Sequence, residues 1–215
     1  LLFNYTSSMP RAHRIIVENG HYHVYNRANN HRSINLIDQS FDIFISLLKQ
    51  IKEQFKLDIY AYCLMTNHYH IQLKTNKANI DKAMNYFGIH YARYINKITN
   101  SSGPVFTGRY QARFISDESY LLQVLRYIHL NPEEAGLCEH FARHRWSSMQ
   151  DYINADSTIV NIDEMLNRFI SFDDFINFHE KGNSKLLQHF YKRKHVPSII
   201  DDSTIVTYNL DTSRA

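Results

Sequence analysis

The sequence predicts an α+β protein: a ferredoxin-like, RRM-like antiparallel sheet with helices on one face, followed by a mostly helical C-terminal extension. Four stretches alternate polar and apolar side chains, as strands do. Other stretches place apolar residues three and four positions apart, as amphipathic helices do. The order is strand, helix, strand, strand, helix, strand and helix, which is the β-α-β-β-α-β pattern of ferredoxin-like domains. In that pattern both long helices cover one sheet face, and we expect the other face to stay open.

The composition is that of a folded protein with a substantial core. The 215 residues suffice for one large domain, or for one domain with a smaller module, and 44% of them are hydrophobic. The formal charge of +3 permits a nucleic-acid partner without requiring one. Two cysteines, Cys63 and Cys138, do not make a disulfide framework. No apolar run approaches the roughly 18 residues of a membrane span, so we expect a cytoplasmic protein.

Residues 21–27 are predicted to form the first strand because their side chains alternate between two faces. Tyr22 and Val24 share the apolar face. The other face carries His23, Tyr25 and Arg27. A helix follows, with Asp38 or Ser40 as its cap. Its apolar stripe consists of Phe41, Phe44, Ile45, Leu48, Ile51 and Phe55.

A hairpin comes next, with strands at 57–64 and 68–75 and a tight turn between them. On its second strand, one face carries His68, His70 and Gln72, and the other carries Tyr69, Ile71 and Leu73. The apolar set must pack on the helices, so the histidines are predicted to lie on the open face. Two imidazoles at i and i+2 of a strand point the same way and can hold one divalent cation. The pattern alone is weak, since residues 21–23 repeat it.

The chain from residue 79 supplies the second helix, the last strand and a third helix. Asn79 begins a helix whose inward side chains are Ile80, Ala83, Met84, Phe87, Tyr91 and Ile95. Residues 99–108 form a loop, and the strand at 109–115 puts Arg109 and Arg113 on one face. Ser116 or Asp117 caps a helix that is predicted to run from 118 to 130 and to end at Asn131-Pro132. Tyr127 and Asn131 are four residues apart and share one face of this helix. Taken alone, this pair is typical of an amphipathic helix with a tyrosine at the edge of its apolar stripe and an asparagine at its end.

The sequence divides into an N-terminal tail (1–19), a main domain (20–135) and a helical extension (136–215). In the extension, residues 161–179 are predicted to be helical. A basic segment follows and includes Lys192 and Arg193. This basic segment is equally consistent with contacts to a DNA backbone and with a solvated helix end.

Four separated motifs together resemble the HUH single-tyrosine transposases, and most closely their REP-associated branch. They are YCLMTNHYH at 62–70, GRY at 108–110, RYIHLNP at 126–132 and WSS at 146–148. The resemblance covers residues 21–152. Four motifs in the right order are far more specific than any one of them.

The resemblance implies that His68 and His70 bind Mg²⁺ or Mn²⁺ and that Tyr127 attacks single-stranded DNA. The products are a 5′-phosphotyrosine link and a free 3′-OH. Asn131 stands where many members of the family have a glutamine as third ligand, and no ligand is expected from His21 or His23. The implied partner is hairpin-bearing DNA, bound by a nucleoid-associated monomer or homodimer. The side chains expected to contact DNA are Tyr25, Arg27, Arg109, Arg113, Lys192 and Arg193.

Two other functions fit the same residues. The first is a non-catalytic module whose open sheet face stacks the unpaired bases of DNA or RNA. Its platform would consist of His23, Tyr25, Tyr60 and Tyr62. The second is a metallohydrolase that uses water at the same histidines, with cleavage that survives the substitution Tyr127→Phe.

Overall fold

The computed structural model describes residues 15–29, 33–34 and 38–181. Four strands form one antiparallel sheet in the order β2-β3-β1-β4. The strands are β1 (His21–Arg27), β2 (Leu57–Leu64), β3 (His68–Thr75) and β4 (Gln111–Ile115). The helices are α1 (Asp38–Phe55), α2 (Ile80–Ile98), α3 (Glu118–Glu134), α4 (Met149–Asn154), α5 (Ile162–Leu166) and α6 (Phe172–Glu180). The predicted fold class is confirmed, and no helix of the described residues is long and apolar enough to cross a membrane.

Helices α1 and α2 cover one face of the sheet, as predicted. The apolar side chains of β3 on this face are fully buried. Phe44 of α1 lies at the centre, and its ring contacts those of Tyr62, Tyr69, Phe87 and Tyr91 at 5.3–6.1 Å. Aromatic edges packed on aromatic faces contribute beyond the area that they bury.

The opposite face is not open, which corrects the expectation from the element order. Helix α3 lies across it, mainly along β2, and buries its own apolar stripe there. The face can accept a helix because β2 presents the small, fully buried side chains of Ala61 and Cys63. Gln72 of β3 is also fully buried, and its Nε2 donates to the carbonyl of Leu121 at 2.8 Å.

The predicted base-stacking platform is therefore wrong in three of its four residues. His23 and Tyr60 are fully buried, and Tyr60 stacks on His21 with 5.6 Å between ring centroids. Tyr62 points to the other face, where it contacts Phe41 and Phe44. Only Tyr25 keeps a partly exposed ring.

Helix α3 runs four residues beyond its predicted end and includes Pro132. A proline in the last turn removes one backbone donor without ending the helix. Helix α3 ends at Glu134, and Gly136, just beyond the cap residue Ala135, has a φ of 68° in the left-handed region. Gly136 N–H donates to the carbonyl of Glu133 and Leu137 N–H to that of Pro132, a Schellman motif.

Residues after α3 return to the free edge of β2. Leu64 N–H donates to the carbonyl of Trp146 at 2.9 Å, and Ser148 N–H donates to that of Tyr62 at 3.0 Å. Asn161 N–H reaches the carbonyl of Ile59 at 2.7 Å. These bonds satisfy backbone groups that an exposed edge strand would leave unpaired.

The helix predicted over 161–179 is two helices, α5 and α6, rather than one. Ser171 adopts an extended backbone, and its Oγ accepts the N–H of Asp174 at 3.1 Å as the cap of α6. The break lets Phe169 fold back onto Phe175, with 5.3 Å between ring centroids. The basic segment with Lys192 and Arg193 lies outside the described residues.

Candidate active site

The side chains of β3 and α3 meet at one point of the second sheet face. The rings of His68 and His70 lie 5.0 Å apart and are perpendicular to each other. The ring of Tyr127 meets that of His70 edge-on at 5.4 Å. Asn131 Nδ2 lies 3.5 Å from His70 Nε2, although the two residues are 61 positions apart in the chain. The two histidines of β3 and the two residues of α3 are neighbours only because α3 crosses β3.

Hydrogen bonds at the far side of each imidazole determine which nitrogen faces the site. Asn67 Oδ1 accepts a hydrogen bond from His68 Nδ1 at 2.8 Å, so the proton is on Nδ1 and the lone pair is on Nε2. His70 Nε2 faces the amide group of Asn131, and His70 Nδ1 lies 2.9 Å from Nε2 of His23. Both histidines thus turn Nε2 toward the α3 side of the sheet.

The electrostatics keep both histidines neutral. Burial lowers the pKa of His68, and the positive charge of Arg27 lowers it further. Burial also lowers the pKa of His70, and the neighbouring His23 and His68 add to that effect. Neutral imidazole is the form that binds a metal ion.

The residues present fit a divalent cation. Two imidazole lone pairs and the Asn131 amide would hold the ion, and an octahedral ion such as Mg²⁺ or Mn²⁺ takes its remaining ligands from water and phosphate. Among the described residues, no three or more His, Cys, Asp or Glu side chains gather in a metal-binding arrangement. Neutral ligands would leave the full charge of the ion available to an anion.

Tyr127 is half-buried on the site-facing side of α3. Its ring contacts that of His23 at 5.8 Å as well as that of His70. Burial raises the pKa of its phenol, while a hydrogen bond with Asn131 and the charge of Arg113 act in the opposite direction. The phenol is therefore protonated at neutral pH unless a further positive charge comes close to it.

Three of the predicted DNA-contacting residues, Tyr25, Arg27 and Arg113, lie beside this point. Arg27 is exposed at the end of β1 and acts on His68. Arg113 is half-buried on β4, opposite His23, and acts on Tyr127. Tyr25 is half-buried, with its ring 5.8 Å from that of His70. Arg109 is exposed just before β4 rather than in it.

A second, fully buried hydrogen-bonded chain, which we call the relay, runs from β2 through α3 to α6 and was missed by sequence reasoning. It consists of the side chains of Ser148, His129 and His179, the backbone N–H of Tyr62 and the backbone carbonyl of Phe175. His179 Nδ1–H donates to the carbonyl of Phe175 at 2.8 Å, so His179 Nε2 accepts from His129 Nδ1–H at 2.9 Å. His129 Nε2 then accepts the hydroxyl proton of Ser148 at 2.8 Å, and Ser148 Oγ accepts the backbone N–H of Tyr62 at 2.9 Å.

The relay joins α6, α3 and β2 and so holds the helix that carries Tyr127. Every donor in it has an acceptor only if both rings are neutral, and burial lowers the pKa of His129 and of His179. The pairing of His129 with Ser148 was the one part that the sequence could have suggested, because both lie in the motifs at 126–132 and 146–148. No local pattern links either of them to His179.

Comparisons with known proteins concern the sequence and the fold. The family model described as "Transposase IS200 like" matches residues 16–131. No curated protein matches the chain. Among solved structures, a REP-associated tyrosine transposase bound to a REP hairpin superposes with a TM-score of 0.60 at 14% identity, over 72% of this chain and 90% of the other. At that identity the likeness concerns the fold.

Two further structures overlap less well. A provisionally assigned transposase from Deinococcus radiodurans R1 gives a TM-score of 0.39 at 20% identity, over 55% of this chain and 95% of the other. The tRNA(His) guanylyltransferase of Saccharomyces cerevisiae gives 0.42 at 10% identity, over 87% of this chain and 82% of the other. Neither overlap is close enough to bear on function.

Proposed function

The chain belongs to the IS200-like transposase family of DNA-processing enzymes, and on that premise we propose that it is a metal-dependent endonuclease and strand transferase for single-stranded DNA. Tyr127 is the nucleophile in this proposal, and His68, His70 and Asn131 hold Mg²⁺ or Mn²⁺. The supporting observation is that these four side chains converge from two separate elements.

The reaction that we propose is a transesterification. The phenol oxygen of Tyr127 bonds to phosphorus, the bond from phosphorus to the 3′ oxygen breaks, and that oxygen leaves as a 3′-OH. The phenol proton passes to solvent, and a proton from solvent reaches the 3′ oxygen. A bound divalent cation would polarise the phosphate and favour the phenolate. Because the product keeps a phosphodiester bond to the protein, a 3′-OH can reverse the step without ATP.

The remaining side chains of the site orient the reactants. Asn131 contacts both His70 and Tyr127, so it aligns the phenol with the cation-binding residues. Arg27 supplies positive charge beside His68, and Arg113 supplies positive charge beside Tyr127. Phosphate contacts of this kind position a strand without reading its sequence.

We further propose that the substrate carries a hairpin. The REP-associated transposase of similar fold is described bound to a REP hairpin. Tyr25, Arg27, Arg109 and Arg113 are the contacts to this DNA, and Lys192 and Arg193 remain proposed contacts beyond the described residues. The proposed form of the protein is a monomer or a homodimer.

The test is a cleavage assay with a labelled single-stranded hairpin oligonucleotide and Mn²⁺. The wild type should give a slowly migrating covalent adduct on a denaturing gel, and Tyr127→Phe should give neither adduct nor cleavage. Tyr94→Phe, which removes a half-buried phenol hydroxyl from α2, is the matched control and should behave as wild type.

Two outcomes would contradict the proposal. Cleavage that survives Tyr127→Phe would indicate a metallohydrolase that uses water. Metal-independent binding with no adduct from either protein would indicate a non-catalytic binding module.

A further inference from the structure

We propose that His23 is a positioning residue for the cation site: it accepts a hydrogen bond from His70 Nδ1–H and thereby keeps the Nε2 lone pair of His70 directed at the cation. The inference rests on the proposed function, because it concerns the same site. It is consistent with the expectation that His23 is not itself a ligand, because His23 acts through His70.

The contact follows from the register of the sheet. β1 and β3 are neighbours, with Tyr25 opposite His70 and His23 opposite Gln72. Side chains two positions apart on β1 share a face, so His23 lies diagonally across from His70. The two nitrogens are 2.9 Å apart, the ring centroids are 5.0 Å apart, and His23 is fully buried.

Only one direction of this hydrogen bond suits a metal ligand. A neutral imidazole carries its proton on one nitrogen and its lone pair on the other. If His70 carried the proton on Nε2, that proton would point at Asn131 and occupy the lone-pair position that a cation needs. With the proton on Nδ1, His23 Nε2 accepts it and Nε2 of His70 stays available.

The two proposed histidine ligands then have the same arrangement of hydrogen bonds. Asn67 Oδ1 accepts from Nδ1 of His68 as His23 Nε2 accepts from Nδ1 of His70. Both acceptors are uncharged, although carboxylates often fill this place behind metal-binding histidines. A carboxylate there would reduce the positive charge offered to a phosphate, so a neutral acceptor suits an anionic substrate.

The first experiment uses the full-length wild-type protein without metal. Nitrogen-15 NMR of the histidine side chains should show His70 protonated on Nδ1, with a scalar coupling across the hydrogen bond to Nε2 of His23. Protonation of His70 on Nε2 would overturn the inference, and this measurement does not depend on any variant folding.

The second experiment compares Mn²⁺ affinity, measured by electron paramagnetic resonance, in three variants. His23→Leu removes the acceptor and should weaken Mn²⁺ binding about 10- to 100-fold. His23→Gln keeps an acceptor oxygen and should restore most of the affinity. His21→Gln changes the other histidine of the same motif, which stacks on Tyr60 away from the site, and should bind as wild type.

The outcomes separate this inference from the proposed function. Unchanged Mn²⁺ affinity in His23→Leu would overturn the role of His23 while the adduct formed by Tyr127 stood. Loss of affinity in both His23→Leu and His23→Gln, without rescue, would also overturn it, because the acceptor would then not be what matters. A covalent adduct missing from the wild type would instead contradict the proposed function, and the NMR result would still decide the role of His23.

Discussion

Asn131 is the side chain that contacts both histidines and the tyrosine of the site. Its amide lies beside His70 and also hydrogen-bonds with His68 and Tyr127. An amide can act through its oxygen toward a cation and through its nitrogen toward a phenol. Asn131 therefore has two roles in the proposed mechanism, one as ligand and one in orienting the nucleophile.

We expect Asn131→Ala to lower the single-turnover rate of adduct formation about 10- to 100-fold, because it removes both roles. Asn131→Gln should recover only part of that loss, since its longer side chain moves the amide while the relay holds α3 in place. The measurement is a quenched time course with saturating hairpin DNA and Mn²⁺. Gln123→Ala, which changes a half-exposed residue of the same helix, is the control. A wild-type rate for Asn131→Ala would remove Asn131 from the site.

At the scale of the elements, local periodicity predicted a helix or strand correctly where its apolar side chains pack into one buried layer. Both hairpin strands have their predicted bounds, and the buried set of α2 is the predicted set. The apolar side chains of β3 and of α2 meet in one buried layer, as the contact of Tyr69 with Phe87 at 5.3 Å shows, so each of these two patterns has one interpretation. The roles predicted for His68, His70, Tyr127 and Asn131 depended on resemblance, because no periodicity relates β3 to α3.

The errors occurred where a third element intervenes. The sequence showed the apolar stripe of α3 but not the surface on which it packs. That surface is the sheet face with Ala61 and Cys63, and it forms only when β2 pairs with β3. The end of α3 was misplaced because Pro132 lies inside the last turn, and the Schellman motif at Gly136 satisfies carbonyls beyond it. The contact between His23 and His70 could not be predicted, because it depends on the register of β1 against β3.

The relay gives an element-scale prediction about how α3 is held. Ser148→Ala should lower the free energy of unfolding by about 2–4 kcal/mol, because the N–H of Tyr62 and Nε2 of His129 both lose their partner in the buried interior. Urea denaturation at neutral pH measures the change. Ser147→Ala is the matched control: Ser147 is equally buried, but its Oγ accepts only a longer bond, from Met149 N–H at 3.3 Å, and the expected loss is below about 1 kcal/mol. Equal losses in the two variants would contradict the relay.

At the scale of the whole molecule, α3 lies between two layers. The sheet is on one side of it, and α6 with the 3-10 turn at Phe141–Arg143 is on the other. The division of the chain into a main domain and an extension between residues 135 and 136 stays a prediction. Backbone hydrogen bonds join Trp146 and Ser148, which follow that boundary, to β2 of the main domain. The segments between α3 and residue 181 thus help to fix the position of Tyr127.

This arrangement predicts that the protein loses stability in mild acid. Burial is the main cause that lowers the pKa of His179 to about 4 in the folded state, against about 6.5 in an unfolded chain. Between these values the unfolded state binds more protons than the folded state, so stability is complete above pH 6.5 and falls as the pH falls toward 4. The contribution of His179 is about 3 kcal/mol across the window, of which roughly 2 kcal/mol is lost between pH 7 and pH 5.

Replacing His179 isolates this contribution from those of the other buried histidines. His179→Gln keeps an oxygen that can accept from His129 Nδ1–H but cannot titrate, so its free energy of unfolding should fall by about 2 kcal/mol less than that of the wild type between pH 7 and pH 5. Urea denaturation in metal-free buffer at a series of pH values measures both curves. His90→Gln, on the half-exposed surface of α2, should follow the wild type. If the His179→Gln curve also paralleled the wild type, His179 would have to be charged within the fold, and the relay could not run in the direction that its hydrogen bonds require.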